Sequence, residues 1–350
     1  MANEIDIYSP RSMMRVVENN PPVHTFLRDT FFTDRQTFPT VGVDVDIVRG
    51  NRHMASFLNP DLPAKIVGKQ GYKTVSFTPP LVNEADVTTA GQLMARQPGE
   101  ALYSSRTPAQ RAAEMLTREY RRKNEAISRR EEWMCAQALL NGSIHVVGDG
   151  VDSVINFGLS AEHKITLNAS KKWTATGTDP LANLREWKRL IQKNGFTSGN
   201  CVIMGYKAYE AFTRNEAVQK MLDIKRMDTG VITAQEMTSG VTYHGRLLDP
   251  MMDVYEYDEM YLDETGETPV TKPMIPDEAV IVLGTGANYA MLYGAHTYIE
   301  DRAQSWVTVE SDRVLHSYIM HHPDRRMLEA AAHPLPVPNK VDSWVVATVV

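Results

Sequence analysis

Four groupings of residues in this chain have types that could do chemistry. His321-His322-Pro323-Asp324 has the composition of a metal cluster. Adjacent residues of a strand point to opposite faces, so one ion would rarely take both imidazoles, and the other histidines show no HExxH or similar spacing. Gly284-Thr285-Gly286 follows the apolar run Ala279–Leu283, as a dinucleotide fingerprint would. The third glycine would fall where Tyr289 stands, and the residues after it read as a strand, so the motif is a tight turn. Asp249 to Glu267 holds eight carboxylates and no EF-hand spacing. Its plain reading is a solvated acidic hairpin; the sharper one is an acidic lining that meets a basic partner or surrounds a symmetric opening. Asp44 and Asp46 share one side of a strand and could pair as acid and base, but on an exposed hairpin they are expected to meet basic groups of a neighbour. No GxSxG or other triad motif is present. No catalytic, cofactor-binding or metal-binding residues are expected.

Composition narrows the class further. With 350 residues and 43% apolar content, the chain is long enough for two domains or one with large extensions. A formal charge of −6 and a pI near 6.0 argue against a nucleic-acid binder with a basic face. Cys135 and Cys201 lie far apart outside any CxxC pattern and read as two buried thiols in a reducing compartment. No apolar run approaches a membrane span, and the start Met-Ala-Asn-Glu-Ile-Asp lacks the features of a signal peptide, so folding in a cytoplasm is expected.

The elements that would position these residues are unusual in proportion. Thr107-Pro108-Ala109-Gln110 is a capping box with proline at the first helical position, and nothing stops the helix before Asn141-Gly142. That predicts a rod of about 50 Å. Ala113, Leu116, Tyr120, Ile127, Met134 and Ala138 form a narrow apolar stripe. The rest of the surface, including Arg121, Arg122, Arg129, Arg130, Glu131 and Glu132, reads as charged and available to water or other subunits. Before it, Val41–Val48 and Tyr72–Thr78 alternate as two strands of a protruding hairpin with too little apolar material for its own core. Residues 1–38 show no sustained period and read as an extended arm, whose Phe26, Phe31 and Phe32 are expected to dock on a neighbour. Deleting that arm is expected to leave folded subunits that do not assemble. Helices are expected from Asp179-Pro180 to Asn194-Gly195 and around Tyr206–Thr213. Strands are expected at Ser143–Val147, Lys164–Leu167, Cys201–Met204, Ala279–Leu283, Ala290–Tyr293, Trp306–Glu310, Val314–His321 and Trp344–Val350, with a hairpin over 253–274.

This succession of arm, long hairpin, long charged helix and α/β lobe resembles the tailed-phage major capsid proteins of the lambda type, the phage capsid protein E family. The stretches that carry the likeness are Phe26-Leu27-Arg28-Asp29-Thr30-Phe31-Phe32, Val43-Asp44-Val45-Asp46-Ile47, Val75-Ser76-Phe77-Thr78-Pro79-Pro80 and Arg96-Gln97-Pro98-Gly99-Glu100. Arg129-Arg130-Glu131-Glu132-Trp133, Leu140-Asn141-Gly142 and Asp179-Pro180-Leu181 continue it. The resemblance implies an α+β chain of the Hong Kong 97-type capsid fold. Residues 1–38 would be the N-terminal arm, 39–82 the extended loop, 83–179 the peripheral domain with spine helix 107–141, 180–300 the axial domain, and 301–350 strands returning to the peripheral domain. It also implies hexamers and pentamers closing an icosahedral shell around double-stranded DNA, with a portal protein, a scaffolding protein and often a decoration protein. The location would be the virion, after assembly in the host cytoplasm. Candidate subunit contacts are Phe26, Phe31 and Phe32 in the arm, Asp44, Asp46 and Lys69 in the loop, and Arg121, Arg122, Arg129 and Arg130 on the helix. No lysine–asparagine crosslink is expected, although Lys65, Lys69 and Lys73 lie in the loop. The alternative of the same architecture is an encapsulin-like or prophage-derived compartment holding protein cargo.

Overall fold

In the computed structural model the described residues are 10–19, 25–40, 42–48, 54, 57, 72–95, 107–148, 150–225, 235–238, 240–264, 268–284, 286, 289–300, 304–322 and 324–350. The long helix runs from Pro108 to Asn141, 34 residues. Thr107 Oγ1 accepts from the Gln110 N–H at 3.3 Å and the Gln110 side chain accepts from the Thr107 N–H at 3.0 Å, closing the capping box. Gly142 ends the helix at φ +58°, the left-handed conformation glycine tolerates best.

Among the described residues three sheets and a set of two-stranded hairpins accompany this rod, one of the sheets being that of Asp34–Phe38, Ala290–Gly294 and Pro334–Val337. Seven strands lie in the order Lys164–Thr166, Trp344–Thr348, Ala279–Leu283, Cys201–Met204, Met251–Tyr257, Val241–Leu248 and Gln235–Thr238. Three adjacent strands of that order, 344–348, 279–283 and 201–204, are buried apolar runs rich in valine and isoleucine, as strands covered on both faces should be. Helix Pro180–Asn194 covers one face with Leu181, Leu184, Trp187 and Ile191, and Asp179 accepts from the Leu181 and Ala182 N–H groups at its start. A second sheet pairs Val314–Met320, Arg325–Ala332 and Val82–Thr89 antiparallel. Its inner face, Leu315, Leu328, Ala330 and Ala332, packs on Leu116, Tyr120 and Ile127 of the long helix. The projecting hairpin pairs Val43–Val48 with Tyr72–Phe77, setting Asp44 opposite Ser76 and Asp46 opposite Thr74.

Three expectations change here. Residues 10–38 are not an extended arm: Pro10–Asn19 and Phe26–Phe31 are helices, and Asp34–Phe38 pairs in parallel with Ala290–Gly294. Met13, Val16 and Val17 supply a helical stripe that packs on the long helix and second sheet. The return strands are divided, because 314–320 and 325–332 lie beside the long helix whereas 344–348 enters the seven-stranded sheet. The stripe on the long helix is also narrower in sequence than in fact. Over its last turns the buried face widens to take in Glu131, Glu132, Cys135, Ala136 and Leu139. The Arg96–Glu100 stretch lies outside the described residues.

Candidate assembly site: a buried ionic clamp beneath projecting surfaces

Leu27 and Arg28 begin the short helix Phe26–Phe31, whose first N–H groups have no partner within the helix. Glu132 supplies one from the long helix. Its Oε1 accepts from the Leu27 N–H at 2.7 Å and its Oε2 from the Arg28 N–H at 3.0 Å. The Tyr257 hydroxyl reaches both Glu132 (2.9 Å) and Glu259 (3.1 Å), one proton between two carboxyls. Burial raises Glu132 above the ordinary carboxylate value, against the pull of the Arg28 and Leu27 N–H groups and Tyr257. Burial raises Glu259 likewise.

Glu131, the next residue, joins two buried arginines. Arg28 Nη1 donates to its Oε2 at 2.8 Å, and Arg313 donates through Nη1 to Oε1 at 2.6 Å and through Nη2 to Oε2 at 2.8 Å. Arg28 also grips Asp29 at 2.9 and 3.0 Å, and Arg313 Nε donates to Asn124 at 3.0 Å. Burial pulls the Arg28 pKa down, but Asp29 and Glu131 outweigh it and hold the guanidinium charged. Arg313 behaves in the same way through Glu131. One pair of carboxylates thus fastens the N-terminal segment, the long helix and the strand at Val314 to one another. Nearer the helix start, Lys123 and Arg122 both donate to Asp86 of strand Val82–Thr89, at 2.6 Å from each. Burial pushes Asp86 up, and the two cations overcome it to hold the carboxyl below its usual range.

Residues expected at subunit contacts divide into two groups. Phe26, Phe31 and Phe32 are 3%, 0% and 0% exposed within their own chain, so they are core and not docking points. Phe26 rests on Tyr255 and Tyr257, and Phe32 on Tyr289. Arg121, Arg122, Arg129 and Arg130 are exposed on the helix, with Arg122 engaged by Asp86 and Arg130 lying over the Trp133 ring at 5.3 Å. Asp44 is exposed on the hairpin; the Asp46 side chain and Lys69 lie outside the described residues. The acidic segment is not simply solvated. Arg185 pairs with Asp249, Arg246 with Asp253, Lys272 with Asp263 and His244 with Glu256. The bases come from flanking strands and a distant helix, which the local run of acids does not reveal.

Large apolar side chains remain uncovered where the chain projects. Phe57 and Met54 of the long loop are 103% and 82% exposed, and Trp306 of hairpin His296–Val309 is 73% exposed beside Ile299. Among the described residues no group of three or more histidines, cysteines and carboxylates is arranged to hold a metal ion. Among them, too, no helix is long and apolar enough to cross a membrane.

The reading of Glu131 and Glu132 as surface charge missed the clamp. Their partners lie about a hundred or more residues away, and no local spacing announces them. A usable signal existed: at 100° per residue Glu131 falls within about 60° of Ile127, Met134 and Ala138, at the edge of the apolar stripe.

Comparison with known proteins places this architecture. The sequence profile described as phage major capsid protein E matches residues 9–349. The major capsid protein of Enterobacteria phage P21 is 24% identical over 353 aligned positions, covering 98% of this chain and 99% of that protein. The major capsid protein of Escherichia phage lambda is 24% identical over 275, covering 77% of each. The crystal structure of a capsid protein assigned to a prophage of E. coli CFT073 superposes with a TM-score of 0.68 at 16% identity, over 93% of this chain and 92% of that one. The α+β fold is therefore that of phage capsid proteins, and the chain belongs to the phage major capsid protein E family.

Proposed function

We propose that this chain is the repeating subunit of a phage head, closing as hexamers and pentamers into an icosahedral shell around double-stranded DNA. Family membership across residues 9–349 supports a shell-forming role. The observation that carries the subunit mechanism is the bare apolar tip of the long loop, where Met54 and Phe57 stand in water on a single chain. Exposed apolar surface of that kind marks an interaction site, and in a shell of identical subunits a neighbour covers it.

The remaining roles follow from that reading. Residues 39–82 act as the extended loop, the segment around helix 107–141 as the peripheral domain, and 180–300 as the axial domain. Asp44, Asp46 and Lys69 on the loop, with Arg121, Arg129 and Arg130 on the helix, face neighbouring subunits with complementary charge. The buried clamp keeps the frame rigid while loop and hairpins reach outward. Net negative charge keeps the inner wall from gripping DNA, whose attraction to proteins is dominated by phosphate. A scaffolding protein and a portal guide closure in the host cytoplasm, a decoration protein adds to the mature particle, and the chain itself performs no catalysis.

Negative-stain electron microscopy with light scattering on the purified chain tests this, alone and with its scaffold. Uniform shells, or rings of five and six, are expected. A 39 kDa monomer that stays monomeric with scaffold present overturns the assignment. DNA recovered from native particles, and not protein cargo, is the expected content.

A further inference from the structure

Three imidazoles meet where four segments come together. His296 opens the exposed hairpin His296–Glu300/Ser305–Val309, His316 lies on strand Val314–Met320, and His333 precedes strand Pro334–Val337. His296 Nδ1 and His333 Nε2 are 3.2 Å apart. The His296 ring centre is 5.4 Å from that of His333 and 6.0 Å from that of His316. His333 also hydrogen-bonds the backbone of Pro79, at the root of the long loop.

The hairpin leans on the outer face of the second sheet through this cluster. Tyr298 stacks on His316 at 4.6 Å, and the Tyr318 ring lies 6.0 Å from the His316 ring. The ionisable groups facing the three rings can be named element by element. The hairpin contributes Tyr298 and Glu300, and strand 314–320 contributes Tyr318. Strand 325–332 contributes Glu329 and, at the far end of the same face, Arg325. Strand 82–89 brings the neutral Asn83 to within 3.4 Å of Glu329. Glu329 is thus the nearby carboxylate, 3.4 Å from His316 Nε2 and already accepting from the Tyr318 hydroxyl at 3.0 Å.

We propose that His296, His316 and His333 form a proton-operated clasp, which holds hairpin 296–309 and the loop root against the sheet at neutral pH and releases the hairpin on acidification. An N···N hydrogen bond needs a lone pair on one ring, so the His296–His333 contact cannot survive protonation of both. One charge on His316 can rest against Glu329. A second and third have no comparable counter-charge among the groups named and repel the first across about 6 Å. His316 Nδ1 is buried without a hydrogen-bond partner, so the closed cluster does not solvate an added proton there. Burial lowers the affinity of all three rings for protons; repulsion from His316 adds to this at His296 and repulsion from His296 adds to it at His333, while Glu329 pulls the other way on His316. The sign is that of a histidine held neutral: above its ordinary value neither closed nor open form is protonated. As pH falls through that value the open form takes up protons first, and closure is lost.

Hydrogen–deuterium exchange on the full-length soluble chain tests the clasp, read at about pH 7.5 and about pH 5.5 after correction for intrinsic exchange rates. Protection of the 296–309 amides is expected to fall roughly tenfold or more, the factor by which one extra proton bound by the open form shifts the equilibrium per pH unit. The long helix should keep its protection. In the double variant His296→Gln, His333→Gln the pH dependence should disappear. Unchanged hairpin protection in the wild type, or the same loss in the double variant, overturns the proposal. If the variant does not fold, NMR titration of the wild-type imidazoles decides. Hairpin signals that move with midpoints below the ordinary histidine value support the clasp, and hairpin signals indifferent to those midpoints refute it.

Discussion

Replacing Glu131 by glutamine tests the clamp with almost no change in shape. The carboxylate accepts from Arg28 at 2.8 Å and from Arg313 at 2.6 and 2.8 Å, and all three side chains are buried. Arginine stays charged at any pH a protein survives, so neither partner can neutralise itself. A glutamine offers one acceptor oxygen and turns an NH2 group toward a guanidinium. Asp29 remains for Arg28, whereas among the described residues Arg313 keeps the neutral partners Asn124, Ser128 and the Asp312 carbonyl. Breaking a buried ion pair from one side costs about 3–5 kcal/mol, a large part of the roughly 5–15 kcal/mol that holds a domain folded. At about 2.1 cal/mol/K of unfolding entropy per residue, a chain of this length should melt about 4–7 °C lower. Scanning calorimetry on the unassembled chain, paired with urea titration, reads both quantities. The exposed Arg122→Ala serves as the control for charge loss at the surface, where the cost should stay below about 1 kcal/mol. If Glu131→Gln costs no more than that control, the three side chains are not a clamp, and the packing of Phe26 and Phe31 alone holds the segment in place.

Other outcomes follow from the same geometry. Removing residues 1–38 deletes Phe26, Leu27, Phe31, Phe32 and a paired strand, so expression should yield insoluble protein. The folded but assembly-defective product first expected for the 1–38 deletion should not appear. Met54→Asp with Phe57→Asp should leave the melting temperature of the monomer unchanged and prevent shells from forming, as counted by electron microscopy. Glu132→Gln places an amide NH2 against a backbone N–H of the segment Leu27–Arg28, costing about 1–3 kcal/mol in urea titration. Mature particles boiled with reductant should run as a single monomer band; a ladder above it would show a covalent crosslink.

The parts that announce themselves in the sequence are those governed by local rules. Thr107, Gln110 and Gly142 mark both ends of the long helix, and Asp179, Pro180 and the face of Leu184, Trp187 and Ile191 mark the next. The buried strands at Cys201 and Ala279 stand out as short apolar runs. What escapes is decided by distant partners. Arg325–Ala332 contains methionine, leucine, glutamate and three alanines, good helix formers, yet it is a strand because it pairs on both sides. Val82–Thr89 and Asp34–Phe38 are polar enough to pass for loop and become strands only through their neighbours. The clamp is hidden for the same reason, since charge reads as surface until an opposite charge arrives from the far end of the chain.

That concealment explains the division of labour along the helix. Toward its C-terminal end nearly every face is covered, by the N-terminal segment, the C-terminal strand and the sheet of Asp34–Phe38, Ala290–Gly294 and Pro334–Val337. The indole of Trp344 even donates to the Leu139 carbonyl at 2.8 Å. Around Arg118, Arg121, Arg122 and Glu125 the opposite face stays open to water. A purely apolar seat for the N-terminal segment would tolerate a shift of a residue along the rod. Glu132, bonded to two successive N–H groups, and Glu131, held between two guanidinium groups, accept one register. The helix is anchored at one end in a unique position, so the orientation of its exposed end, and of the surfaces carried beside it, is set by the fold of the single subunit before any neighbour arrives.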